Sequence, residues 1–312
     1  MKNTKVTTYK IGRVRIPDYV PGVIAAIVLI IGFPFIVESQ QSAEISTEAV
    51  GDGRYVLFGR GGNILASIGE QGVLIVDSQF PDMVPKYQST IRSLGGGDID
   101  FTINTHWHYD HADGNEMLGE AGSWIIAHAH SRDMMTKHNT INTVVNPLVE
   151  QPPYSQAGLP VATFEQRMEV FFNGEQIDLI HPGPAHTMGD AAIFLRDSNI
   201  VHMGDVFNNA GYPFIDADNG GDIEGMIAFC EAVLGEINSN TVVVPGHGPI
   251  ATYNDLAEYI TMLTEIRGKM MILIGQGASL EEVIAAKPTE NWDAEKGDPL
   301  RLIDRAYLSL TR

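Results

Sequence analysis

Four groups able to ligate a metal fall within six residues, His106, His108, Asp110 and His111, in the stretch Thr105-His106-Trp107-His108-Tyr109-Asp110-His111. A polar turn has no need of three imidazoles and a carboxylate at His-x-His-x-Asp-His spacing, whereas a metal site does. The residues just before it, Ile99-Asp100-Phe101-Thr102-Ile103-Asn104, read as a strand. Ligands delivered at the C-terminal end of a strand are a hallmark of α/β architecture, so the chain is expected to fold around this strand end.

The same pattern recurs along the chain. Tyr55 to Phe58, Asn63 to Ile68 and Gly72 to Asp77 read as strands, with Gly61-Gly62 as a hairpin tip. The third is apolar on both faces and ends at Asp77, which either caps the following turn or braces a site from behind. Asp82 to Leu94 reads as a surface helix, and Asn139 to Pro160, rich in Pro, as a long irregular connection forming a candidate pocket wall. Strands resume at Met168 to Phe172 and Gln176 to Ile180, joined by an Asn173-Gly174 turn. Three later strand ends then carry His186, Asp205 and His247, each beside Gly or Pro. From about residue 251 the chain turns helical, with apolar residues at helical spacing between Asn254 and Ile274 and a capping box opening at Ser279.

The remaining polar candidates read as structural. His128, His130 and His138 are expected at the surface or at a helix start, and His181 and His202 as supporting residues. Thr187 and Asn208 lie close enough to ligands to contact substrate. Cys230, the single cysteine, sits in an amphipathic helix and is expected to be buried as a small apolar residue.

Charge narrows the function. Residues 1–38 hold five basic and two acidic side chains, leaving 15 basic against 37 acidic over the remainder. Such a body repels phosphate backbones, which argues against nucleic acid as a partner and for a small-molecule substrate. Basic residues followed by the apolar run Val20 to Val37 have the form of an export signal or a membrane anchor. The cleaved and the retained form are both compatible with that run. The expected organisation is therefore residues 1–38 as signal or anchor, 39–50 as linker and 51–312 as catalytic domain, exported to the periplasm or held at the inner membrane facing it. No segment signals a protein partner.

Asp77, the His106 to His111 motif, His186, Asp205 and His247 together resemble, in order, the signature elements of the metallo-β-lactamase superfamily. The resemblance spans roughly residues 54–250 and implies an αββα sandwich of two mixed β-sheets flanked by helices. It also implies one metal on His106, His108 and His186, a second on Asp110, His111 and His247, and Asp205 bridging both. Two zinc ions are expected, with iron or manganese as the other metals such a site accepts. The activity implied is hydrolysis of an ester, thioester, lactone or β-lactam by a metal-bridging hydroxide, with Asp110 handling the proton. An iron-dependent redox enzyme on the same fold, or a zinc β-lactamase, is the alternative.

The chain departs from the best-known zinc β-lactamases in holding Asp205 where they are similar in having Cys. It also has Asn208 where they carry a Lys that grips the drug's carboxylate, so no substrate-anchoring cation is evident. The stretch His202 to Asp216 looks like that of exported bacterial hydrolases in the superfamily, and its aromatic middle suggests an apolar pocket wall.

Overall fold

Strict alternation of side-chain direction along the strands is what builds the layers of this protein. The computed structural model describes residues 44–144 and 148–312. In its first half the elements are β1 (Ser46–Gly51), β2 (Arg54–Phe58), β3 (Ile64–Gly69), β4 (Gly72–Val76), α1 (Val84–Ser93), β5 (Ile99–Ile103), α2 (Tyr109–Ala112), α3 (Asn115–Glu120), β6 (Trp124–His128), α4 (Ala129–Met135), β7 (Asn139–Ile141), β8 (Val149–Gln151) and β9 (Ala162–Phe164). In the second half come β10 (Arg167–Phe172), β11 (Glu175–Ile180), β12 (Ala192–Leu195), β13 (Ile200–His202), α5 (Ile223–Glu236), β14 (Val242–Val244), α6 (Tyr253–Gly275), α7 (Leu280–Ala285), α8 (Asp293–Lys296) and α9 (Leu300–Leu310).

Two mixed sheets result. One runs β1-β2-β3-β4-β5-β6-β9, antiparallel as far as β4 and parallel thereafter, and the other runs β10-β11-β12-β13-β14 with only β13 and β14 parallel. In the first sheet, Leu65, Leu74 and Val76 point inward and meet Ile177, Leu179, Ile193 and Val244 of the second. Their neighbours Ile64, Ala66, Val73 and Ile75 point outward onto α1, where Tyr87 and Ile91 cover them. On the far side Phe194, Val201 and Val243 point outward onto α5, α6 and α9. Period-two alternation thus gives each sheet one face for its partner and one for helices, which is the expected αββα sandwich.

Three expectations change. The second half of the expected 39–50 linker is strand β1, paired with β2 from Ser46↔Phe58 to Gly51↔Arg54. Being an edge strand with mostly exposed side chains, it has no apolar alternation to reveal it. The expected irregular connection after Asn139 contains the antiparallel ribbon β7–β8. Ile141 in that ribbon packs with Trp107, so the segment does wall the site, though as strands. The helix expected from Asp82 begins with a 3-10 turn, Pro81–Met83, before α1.

Elsewhere the local chemistry follows the sequence. Asn173 (φ 53°) and Gly174 (φ 70°) both adopt the left-handed conformation that a tight two-residue hairpin turn demands. Thr252 with Asp255 caps α6, and Ser279 with Glu282 caps α7. Cys230 is fully buried, and burial pushes its thiol pKa up.

A buried clasp joins the sheets at one end. Arg54 on β2 reaches Glu175 on β11 at 3.2 Å, and Glu175 also accepts hydrogen bonds from the backbone amides of Asp197 and Ser198. Among the described residues no helix is long and apolar enough to cross a membrane; the expected signal or anchor lies outside them.

Candidate metal centre

The opposite end of the sandwich gathers all seven predicted ligands. His106 and His108 follow β5, Asp110 and His111 lie in α2, His186 sits between β11 and β12, Asp205 follows β13 and His247 follows β14. They form two groups, each close enough to hold one ion: His106, His108 and His186, and Asp110, His111, Asp205 and His247.

The first group is three imidazoles whose lone pairs converge. His108 Nε2 lies 2.9 Å from Asp216 Oδ2, and His186 Nδ1 lies 2.8 Å from the Phe214 carbonyl. A carbonyl only accepts, so His186 carries its proton on Nδ1, and an ionised Asp216 fixes the His108 proton on Nε2. The remaining nitrogens, His108 Nδ1 and His186 Nε2, therefore face each other at 2.9 Å as acceptors. His106 Nε2 is buried with no hydrogen-bond partner. Burial foremost, with its imidazole neighbours, holds His106 well below the usual histidine range, and burial with His108 lowers His186 to about 4. Protons therefore do not relieve the repulsion, and a cation between the three nitrogens does.

The second group is braced by Asp77. Its Oδ2 accepts from His111 Nδ1 at 2.7 Å and from Thr105 Oγ1 at 2.8 Å, while Oδ1 accepts from the Thr105 amide. Of the two roles open to Asp77, bracing is the one the structure displays. His111 Nε2 then points at His247 Nε2 (3.2 Å) and Asp205 Oδ1 (3.0 Å). Asp110 Oδ2 lies 3.1 Å from His247 Nε2. Burial opposes protonation of both histidines, yet Asp205 and Asp110 outweigh it, raising His111 well above its usual range and His247 to about 10. Burial likewise opposes ionisation of Asp205, but His247 and His111 hold its carboxyl well below the usual range. Metal binding would replace these protons with a cation. Asp205 Oδ2 is also 3.8 Å from His186 Nε2, so one carboxylate touches both groups.

Crowding around the ligands explains two glycines. A Cβ on Gly62 would lie 2.1 Å from His111 Cε1, and one on Gly246 would lie 2.0 Å from Asp205 Oδ1. Asn63 fixes the loop that carries His247, donating to the carbonyls of Pro245 and Gly248 at 2.9 Å. His202, as expected, is a support: its Nε2 meets the Asn63 carbonyl at 3.0 Å.

Asp77 has φ 66°, a conformation that Asn tolerates as well as Asp does. Asp77→Asn is therefore expected to keep the fold while weakening metal binding by about 10- to 100-fold, the usual cost of losing a ligand's supporting partner. A chelator-competition titration measures this; unchanged affinity would remove Asp77 from the site.

A cavity of about 320 Å³ opens over the centre, lined by His108, Asp110, Asp205 and His247 together with Tyr109, Ile141, Thr143, Asn208, Ala210, Tyr212, Phe214 and Arg301. Asn208 borders it as expected. Thr187 does not: it is buried, bonding Asp190 through both its amide and its hydroxyl. His128 caps α4 and His138 pairs with Glu150 at the surface. Sequence reasoning missed Asp216, the Phe214 carbonyl and Arg301. The carboxylate directly after the aromatic run to Ile215 was a usable signal for Asp216, whereas nothing marks one arginine in an amphipathic helix.

Comparison with known proteins agrees with this geometry. Residues 58–258 match the family model described as the metallo-beta-lactamase superfamily. Among solved structures, DIM-1 metallo-beta-lactamase is similar with a TM-score of 0.57 and 18% identity over 71% of this chain and 97% of that one. A metallo-beta-lactamase from Pontibacter korlensis gives a TM-score of 0.58 at 16% identity, over 71% of this chain and 99% of that one. At these identities the likeness concerns the fold. A curated relative, the 2,4-dinitroanisole O-demethylase subunit alpha of Nocardioides sp. (strain JS1661), is 26% identical over 156 residues, covering 48% of this chain and 43% of that protein.

Proposed function

Because the chain belongs to the metallo-beta-lactamase superfamily, we propose that it is a dinuclear metal-dependent hydrolase, with zinc in both sites, acting on an ester, thioester, lactone or β-lactam. The observation that carries this reading is the convergence of unprotonated nitrogens in one group beside a carboxylate-rich second group, with Asp205 touching both. Structural zinc sites are usually closed and mononuclear; here a cavity opens directly onto the ligands.

When bound, two such cations polarise a carbonyl and bring a water's pKa towards about 7. The protein's own groups do the rest. His106, His108 and His186 would hold one ion through neutral donors, which would leave its charge available to polarise a carbonyl. Asp110, on the cavity side of α2 and 3.1 Å from His247, takes and returns the proton of the attacking water. Ile141, Tyr109 and Phe214 present apolar surface to the substrate and exclude bulk water. The cavity suits a small molecule.

The test is metal analysis together with a hydrolysis screen of zinc-loaded protein against thioesters, lactones and β-lactams. An aryl methyl ether belongs in the panel, since the curated relative is named for O-demethylation. About two metals per chain and hydrolysis that Asp110→Asn abolishes with the fold retained are expected. Activity in a metal-free protein, or stoichiometric iron with oxygen consumption, would sink it. From residues 1–38 we also propose export, with the body on the periplasmic side. A topology reporter fused after residue 50 that stayed cytoplasmic would overturn this.

A further inference from the structure

We infer that Asn219 is a positioning residue that couples the pocket wall to the first ligand group. Filling that group orders the β7–β8 ribbon, and the ribbon in turn tightens the hold on the ion. This rests on the first group holding an ion and is independent of the reaction carried out there.

Asn219 ends a 3-10 turn, Ala217–Asn219, in the loop between β13 and α5. Arg305 of α9 fixes that turn, its Nη1 lying 2.6 Å from Asp218 Oδ2. Just before the turn, the Asp216 amide donates to the His186 carbonyl at 2.9 Å, and the Asp216 carboxylate accepts from His108 Nε2 at 2.9 Å. The turn is therefore built onto two of the three ligands of the first group, one through backbone and one through a side chain.

A primary amide has two hydrogens to give. Asn219 Nδ2 lies 3.0 and 2.9 Å from the two Asp216 oxygens and 3.1 Å from the Thr140 carbonyl. One hydrogen is thus shared by the carboxylate, and the other goes to β7. Thr140 is the middle residue of β7, and its neighbour Ile141 lines the cavity over the centre. The partner strand is tied to the same place: Gln151 of β8 donates to the Trp107 carbonyl at 2.8 Å, between His106 and His108. Both of these ties lead to the first group, whereas Asp77 and Asn63 brace the second.

Coupling follows from the shared carboxylate. A carboxylate that accepts from one imidazole nitrogen makes the other a better ligand, and a cation on that other nitrogen strengthens the first bond. Asn219, donating to the same carboxylate, is ordered with it, and Thr140 with Asn219. The coupling is reciprocal, so whatever orders the wall raises the ion's affinity by the same factor. Loading the ion thus completes the surface against which a substrate rests, and an unloaded chain presents a looser one.

The test uses full-length protein with zinc as the probe and measures no turnover. Chelator-competed zinc titrations are followed at the ring nitrogens of His108 and His247, which report the two groups separately, and amide exchange across β7 and β8 is compared with and without zinc. Asn219 is half-buried, so its variants should fold. Asn219→Ala should weaken the first ion by about 3- to 10-fold, less than the loss of a residue that touches the ligand itself, and leave the second within about twofold. In the parent, zinc should slow exchange in the ribbon, and in Asn219→Ala that dependence should disappear. Asn219→Asp, which adds a like charge beside Asp216 and removes the donor, should weaken the first ion more than Asn219→Ala does. Equal loss at both groups, or equal zinc protection of the ribbon in parent and variant, would overturn the inference and leave the metal centre intact. Ribbon exchange indifferent to zinc in the parent would overturn it without any variant. A parent that binds no zinc at His108 would overturn the metal centre as well.

Discussion

Replacing Asp205 with Asn is expected to reduce the bound metal from about two ions per chain to about one and to lower hydrolysis by at least about 10²- to 10³-fold, the loss typical when one electrostatic partner of a transition state is removed. The change is nearly isosteric, so packing is not at issue. What disappears is the negative charge that lies 3.0 Å from His111, 3.4 Å from His247 and 3.8 Å from His186. The first group, three imidazoles, is expected to keep its ion. The second loses one of its two carboxylates, and the charge shared between the groups goes with it. Elemental analysis beside circular dichroism separates this from unfolding; a variant with both metals and undiminished turnover would show that Asp205 does not join the sites.

Arg54→Ala should destabilise the protein by about 3–5 kcal/mol, the range for removing one partner of a buried ion pair. Arg54 and Glu175 have 7% and 1% of their side-chain surface exposed, so solvent screens the pair little. The substitution leaves a buried carboxylate without its cation. Converting both residues to apolar ones often rescues such a pair, but not here, because Glu175 also satisfies the amides of Asp197 and Ser198. The double variant Arg54→Met/Glu175→Leu should therefore stay less stable than the parent. Urea unfolding monitored by fluorescence measures both, and a loss below about 1 kcal/mol in Arg54→Ala would show the clasp to be dispensable.

The ligands were legible because metal chemistry restricts them to few residue types and strand ends fix where they emerge: His106, His186 and His247 each stand at the end of an apolar run bounded by Gly, Pro or polar residues. The αββα layering was legible through family resemblance, and the alternation of Leu65 against Ile64 and Ala66 now gives its cause. Strand β1 was hidden because both of its faces meet solvent, which removes the apolar period that betrays a strand. Asp216 and the Phe214 carbonyl escaped because they act through His108 and His186, more than 25 residues distant in each case. Thr187 misled for the opposite reason. Its neighbour His186 turns towards the metal group, while Thr187 turns back to Asp190. Nearness in sequence to a ligand does not decide which way the next side chain faces.

The strand directions place the Arg54–Glu175 pair at the starts of β2 and β11 and the ligand groups beyond the ends of β4, β5, β13 and β14. The two sheets are thus fastened at opposite ends by unlike means. One fastener is complete in the polypeptide; the other joins the two sheets by hydrogen bonds such as those of Asn63 to Pro245, Gly248 and His202 and would be reinforced by what the ligand groups bind in common. Withdrawing that bound species should therefore relax the sandwich from one end, with amide exchange accelerating around His106, His186 and His247 while the strands near Arg54 stay protected. Breathing of this kind would give the site a way to admit its ions after the chain has folded.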